Sequence, residues 1–200
     1  MPRLILATRN AHKTAEIATM LAGVFEVTDL HGQPDAPEVE ETGETFADNA
    51  ALKALAISRF TRGWALADDS GLEVDVLGGE PGVRSARFAG EDATDADNNA
   101  LLLAKLAAIP ASMPTARFRC VLALARDGEL IATFDGAVEG RILPSIQGRG
   151  GFGYDPLFLP DGHDRSFGEL PAEAKNAISH RSRALAKFRT WLEDHPLDGL

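Results

Sequence analysis

Leu4-Ile5-Leu6-Ala7-Thr8-Arg9-Asn10-Ala11-His12-Lys13 begins as an apolar run and breaks at once into polar residues. Residues 4–8 read as a buried strand, short, apolar and bounded by turn formers. Asn10 suits a helix N-cap, because its side-chain oxygen can accept amides that the first turn leaves unbonded. Ile17, Met20 and Leu21 then share one helical face, and Gly23 stops the helix. Strand, tight turn and helix in that order is the building unit of open α/β sheets, whose turns are the usual place for an anion.

Working outward, residues 25–28 form a candidate second strand. Residues 34–43 are an acidic, Pro-containing loop leading into a helix over 44–60, with Phe46, Ala50, Ala54, Ile57 and Phe60 as its buried stripe. Residues 64–67 read as another buried strand. It ends in Asp68-Asp69-Ser70-Gly71, after which Leu72, Val74 and Val76 alternate with Glu73 and Asp75 as in a half-exposed strand. Residues 78–90 are loop-rich, Thr94 caps an Ala-Leu-rich helix to Ala108, and residues 110–114 make a turn. Strands over 117–126 and 129–139 meet at Asp127-Gly128 as a hairpin. Residues 148–153 are a glycine-rich loop, and Ser179 caps a last helix carrying Leu185, Phe188, Trp191 and Leu192. An opening strand-helix unit joined to a long hairpin predicts α/β architecture with a mixed sheet, bent or split into two lobes.

Two hundred residues with 44% hydrophobic content suit one domain, taken as 1–200. Twenty basic against thirty acidic residues give a net charge of −10, which argues against a nucleic-acid binder held by phosphate contacts. The lone Cys120 cannot form an internal disulfide, and its apolar surroundings read as a buried strand thiol. The N-terminal apolar run is too short for a signal peptide and no stretch approaches a membrane span, so a cytoplasmic location is expected.

Three groups of residues invite chemistry. Thr8, Asn10 and Lys13 stand where a strand end meets a helix N-terminus; a cation there opposes the helix dipole by ~0.3–1 kcal/mol unless an anion compensates it. A snorkelling surface lysine is the other reading of Lys13. No G-x-x-x-x-G-K-[ST] occurs, which excludes a P-loop. The second group is acidic: Glu38, Glu40, Glu41 and Glu44 in one loop, and the adjacent Asp68 and Asp69. Adjacent carboxylates persist more easily when a hard divalent cation shares them, and magnesium is the natural candidate; a solvated loop and a capped turn are the alternative. The five histidines lack ligand spacing for zinc. Lys53, one helical turn from Asn49 and away from the core stripe, faces phosphate or water. The third group is Phe152-Gly153-Tyr154-Asp155, then Lys175, then Ser179-His180-Arg181, where cationic donors again occupy a helix N-terminus. An aromatic ring between glycines can meet a base face-on, and His or Arg donors can address a 6-oxo group; a flexible turn with Phe152 plugging the core is the other reading.

With Ala7-Thr8-Arg9-Asn10-Ala11-His12-Lys13, Asp68-Asp69-Ser70-Gly71-Leu72, Gly151-Phe152-Gly153-Tyr154-Asp155-Pro156 and Ala177-Ile178-Ser179-His180-Arg181 in order, the sequence resembles the inosine triphosphate pyrophosphatase family from Leu4 to Leu192. The resemblance implies an elongated mixed sheet with two lobes around a central substrate cleft, in a cytosolic, magnesium-dependent homodimer. It implies hydrolysis of non-canonical purine nucleoside triphosphates (ITP, dITP, XTP) to monophosphate and pyrophosphate, cleansing the nucleotide pool. Thr8, Arg9, Asn10, Ala11, His12 and Lys13 would hold the triphosphate, with no specificity placed on Arg9 or His12. Glu40 and Asp69 would bind magnesium, and Asp69 would take the proton as water attacks the α-phosphorus. Ser70 would touch substrate, Phe152, Gly153, Tyr154 and Asp155 would frame the base, and Lys175, His180 and Arg181 would complete the purine pocket. Lys53 as a phosphate ligand and Asp68 as a further metal ligand are added from the residues themselves. Two rivals stand beside this reading: a phosphatase with an aspartyl nucleophile, for which a D-x-D arrangement is absent, and a non-catalytic nucleotide-binding or sensor module. A pyrophosphatase of modified pyrimidines would share the chemistry without the Ser179-His180-Arg181 pocket.

Overall fold

The computed structural model describes residues 2–109 and 113–197. The elements are β1 (Arg3–Leu6), α1 (Ala11–Met20), β2 (Glu26–Thr28), α2 (Phe46–Thr61), β3 (Trp64–Val74), α3 (Asp95–Ala107), β4 (Thr115–Arg126), β5 (Glu129–Ile142), β6 (Phe158–Pro160), α4 (Ala172–Ile178) and α5 (His180–Asp194), with short 3₁₀ turns between them. The strands form one six-stranded sheet in the order β2-β1-β3-β4-β5-β6. β1 pairs in parallel with β2 and β3, whereas β5 and β6 are antiparallel, so the sheet is mixed, as expected from an opening strand-helix unit followed by a hairpin.

The opening stretch folds as read. Asn10 caps α1, its side chain accepting the amides of His12 and Lys13, and Ile17 and Leu21 are buried. Thr45 and Asp48 close a capping box on α2, as Thr94 and Asp97 do on α3. The β4–β5 hairpin turns at Asp127 and Gly128, both with positive φ, 51° and 87°, which matches the twist of the flanking strands.

Three expectations are corrected. β3 does not end at the Asp pair but runs unbroken for 11 residues through it. The alternation past Val74 fails, because residues 75–77 turn into a 3₁₀ helix that leaves Val76 exposed. Phe60 is also exposed, lying in the last turn of α2 beyond the packed Ile57. A separate short α4 precedes the last helix, and Ser179 stands between the two, buried, with the extended backbone usual for the residue before a helix. Residues 78–90 include a 3₁₀ turn at Gly82–Arg87. The turn expected at 110–114 falls largely outside the described residues.

Two compact units emerge. The first comprises Met1–Asp69, Cys120–Gly136 and Arg181–Leu200, the second Ser70–Arg119 and Ala137–His180. Each has its own apolar core. In the first unit Leu4, Leu6, Ile17, Leu66, Leu122 and Phe188 pack together; in the second, Leu72, Leu102, Phe118, Val138, Phe158 and Phe167 do so. No helix among the described residues is long and apolar enough to cross a membrane.

Candidate active site

In the first unit the candidate residues of α1, α2, β3 and α5 are joined in one network of charge. Adjacent strand residues point to opposite faces, and the two aspartates of β3 accordingly meet different partners. Asp68 is 3% exposed and bound on both oxygens. Lys13 Nζ lies 2.7 Å from its Oδ1, Arg181 Nε donates to Oδ2 at 2.8 Å, and the Cys120 thiol donates to Oδ2 at 3.2 Å. Burial alone would raise the Asp68 pKa, but Arg181 and then Lys13 outweigh it and hold the carboxyl well below the usual range. Arg181, itself buried, also donates to the Glu16 carboxylate of α1. Burial works against its charge, but Asp68 in particular drives its pKa further up. The anion expected opposite Lys13 and Arg181 at their helix N-termini is thus supplied in large part by the protein itself. Burial, then the Asp68 charge, push the Cys120 thiol far up, which makes it a neutral donor and no nucleophile.

Asp69 differs. Its Oδ1 accepts from Lys53 at 2.7 Å, whereas its Oδ2 is buried with no hydrogen-bond partner among the described residues. Burial raises the Asp69 pKa despite the opposing charges of Lys53 and Lys13. Lys53 also donates to Glu41 at 2.6 Å and to the Asp68 carbonyl at 3.0 Å. Burial disfavours its ammonium, but Asp69 and Glu41 more than compensate, and its pKa is raised. Glu41, named in the acidic run without a role, therefore joins the site, while Glu40 beside it is exposed. The loop that carries both is tied to α2 by the Gly43 amide, which donates to Asn49 Oδ1 at 2.7 Å. Of the remaining residues at 8–13, Thr8 Oγ1 accepts the Asn10 amide, Arg9 donates to the Ala36 carbonyl, and Ala11 and His12 are exposed in the first turn of α1.

Among the described residues no group of three or more His, Cys, Asp or Glu is arranged to hold a metal. An all-protein cage is therefore not what these residues build. A buried, unpartnered carboxylate oxygen on Asp69, with Glu40 and Glu41 on the neighbouring loop, instead fits a hard cation that takes one or two carboxylates and completes its shell with phosphate oxygens and water. Asp68, with both oxygens already accepting from buried donors, is less suited to a metal than Asp69.

In the second unit the glycine-rich loop is held from several sides. Asp155 is buried; its Oδ2 accepts the Phe152 amide at 2.9 Å and Lys175 Nζ at 2.5 Å. Lys175 is 4% exposed and lies 4.8 Å from the centroid of the Phe152 ring. Gly151 has φ +72°, and a Cβ there would lie 2.0 Å from Asp155 Oδ2, so only glycine allows this approach. Tyr154 is buried in the core; its hydroxyl donates to the Ser85 carbonyl, and burial raises its pKa. It therefore anchors the loop. Phe152 is half-buried rather than a core plug, and His180 stacks on Phe118 with centroids 4.9 Å apart. Ser70 follows directly in β3 and is half-buried.

The profile of the Ham1 family matches residues 4–191. A dITP/XTP pyrophosphatase of Geobacter sulfurreducens is 52% identical over 196 residues, 98% of this chain and 96% of the relative. One from Desulforamulus reducens is 53% identical over 186 residues, 92% of each. Among solved structures, a HAM1 protein from Coxiella burnetii superimposes with a TM-score of 0.86 at 40% identity, covering 97% of this chain and 100% of that one. A match over nearly the whole length in profile, sequence and fold means that this chain belongs to the Ham1 family.

Proposed function

We propose that the chain hydrolyses non-canonical purine nucleoside triphosphates, ITP, dITP and XTP, to the nucleoside monophosphate and pyrophosphate, with magnesium as its metal. The observation that carries this reading is the contrast between the adjacent carboxylates: Asp68 accepts from buried donors on both oxygens, while Asp69 keeps one buried oxygen without a partner among the described residues. The relatives named dITP/XTP pyrophosphatase support the same reaction.

Thr8, Asn10 and Lys13, with the start of α1, bind the triphosphate, and Arg9, Ala11 and His12 border it. Lys53 balances the charges of Asp69 and Glu41 and would meet phosphate there. Asp69 and Glu40, with Glu41, would hold the cation. Magnesium bound there would supply neutralisation of phosphate charge and a lowered pKa for water. Asp69, its pKa already raised by burial, orients the water that attacks the α-phosphorus and accepts its proton. Asp68 and Arg181 act on the reaction by fixing Lys13. Phe152 to Asp155, Lys175 and His180 frame the purine and Ser70 touches substrate, whereas Arg181, expected in the same pocket, is engaged by Asp68 and Glu16. Donors aimed at a 6-oxo oxygen reject a 6-amino base by up to ~10⁴-fold, because that base leaves them unpaired. The chain acts as a single functional domain of residues 1–200, in the cytoplasm and as a homodimer.

The test is pyrophosphate release by the purified protein from ITP, XTP, dITP, GTP and ATP, with and without magnesium. Release from the first three, dependent on the metal and far slower with ATP, is expected. Equal rates on ATP and ITP would overturn the base selectivity, and phosphate without pyrophosphate would overturn the reaction.

A further inference from the structure

Helix α3 carries none of the residues given a role above, yet its first turns bond directly to the glycine-rich loop. Asp95 Oδ2 accepts the Gly153 amide at 2.6 Å. One helical turn later Asn99 Nδ2 donates to the Gly153 carbonyl at 2.9 Å. These groups belong to the two peptide planes that flank the Gly153 Cα. Holding both from one rigid helix fixes the backbone of Gly153, whose φ of +62° is left-handed.

Phe152 is thereby caught between two clamped points. Its own amide is bound to Asp155, and the next residue is bound to α3. The helix start is rigid in turn, because Thr94 and Asp97 close their capping box. Asp95, in the first turn, lies at the positive end of the helix dipole, where a carboxylate acceptor is favoured. Asn99 is buried, and its Oδ1 finds no partner among the described residues. An orphaned acceptor is costly, and an apolar side chain would avoid it. The carboxamide is thus placed for its contact with Gly153, not for filling the core.

We propose that Asp95 and Asn99 are positioning residues for base recognition: they clasp the two backbone groups of Gly153 and so set the Phe152 ring against Lys175. The inference rests on the assignment of Phe152 to the purine. Pre-organising the ring in this way removes the ordering cost that a mobile loop would pay when the base stacks on it.

The test measures three things on wild type, Asp95→Ala, Asp95→Asn and Asn99→Leu: steady-state kinetics with ITP and ATP, calorimetric binding of the product nucleotide IMP, and exchange of the Gly153 amide proton. Asp95 is exposed, so its variants fold. Asp95→Ala and Asn99→Leu are expected to raise the KM for ITP and the Kd for IMP by about 10-fold. Their kcat should stay within about a factor of two and their magnesium half-saturation should not move. The Gly153 amide should exchange faster in Asp95→Ala, and Asp95→Asn, which keeps an acceptor, should restore wild-type values. Lower melting temperatures with unchanged KM and Kd would overturn the proposal and leave a purely structural clamp. If wild type binds IMP and the variants bind it more weakly but nothing is hydrolysed, the proposed reaction falls and the clamp stands. If wild type neither hydrolyses ITP nor binds IMP, both fall.

Discussion

Replacing Asp68 by Asn should cost about 3–5 kcal/mol of folding stability, the usual penalty for removing one partner of a buried ion pair. Arg181 and Asp68 both have side chains 1% exposed, and Lys13 is 15% exposed. In the variant Lys13 would keep the Asp68 carbonyl at 3.4 Å, and Arg181 would keep Glu16, so the lower half of that range is expected. Against a total of about 5–15 kcal/mol for a domain, this is a large fraction. Urea unfolding in the presence of a chelator, followed by circular dichroism, measures it without any contribution from metal. The pH dependence has a definite sign. Asp68 is depressed in the folded state, so its contribution is complete above the ordinary carboxylate pKa of 3.8 and fades as pH falls below it. The gap between wild type and variant should therefore be constant from neutral pH to about pH 5 and narrow below about pH 4. A variant within about 1 kcal/mol of wild type, but needing more magnesium, would refute the reasoning and make Asp68 the metal ligand that its place beside Asp69 suggests.

Asp69→Asn should abolish pyrophosphate release yet leave stability in chelator unchanged or higher, since burial raises the Asp69 pKa. Because the native state then binds its proton first, wild type should gain stability as pH falls from neutral toward 3.8, and the Asn variant should lack that slope; denaturation at several pH values checks both. Gly151→Ala would drive a Cβ into Asp155 Oδ2 at φ +72°, so KM for ITP should rise about 10-fold with little change in magnesium half-saturation. Gly43→Ala would place a Cβ 2.6 Å from Asn49 Oδ1 and shift the loop of Glu40 and Glu41. Here magnesium half-saturation, measured at saturating ITP, should rise about 10-fold while KM at saturating magnesium holds.

Local chemistry made much of this protein legible. Asn10 caps α1 because its short side chain can reach back to the amides of the first turn, and the Asp127-Gly128 pair turns a hairpin because few other residues tolerate two successive positive φ angles. The apolar periods placed most strands and helices, and four motifs placed the candidate site. Failures came where long-range packing overrode a local pattern. β3 continued through two aspartates, which turn chemistry would have ended, because Lys13, Arg181 and Lys53 compensate their charge from distant points of the chain. Asp95, Asn99 and Glu16 went unnoticed because a polar residue on a helix looks the same in sequence whether it faces water or a loop 54 residues away, as Asn99 does. The residue types and their order thus determined the fold class and the chemistry available. Only the tertiary structure decided which of two neighbouring carboxylates is neutralised and which keeps an oxygen without a partner among the described residues, because a strand sends adjacent side chains to opposite faces and the groups waiting there come from elsewhere in the chain.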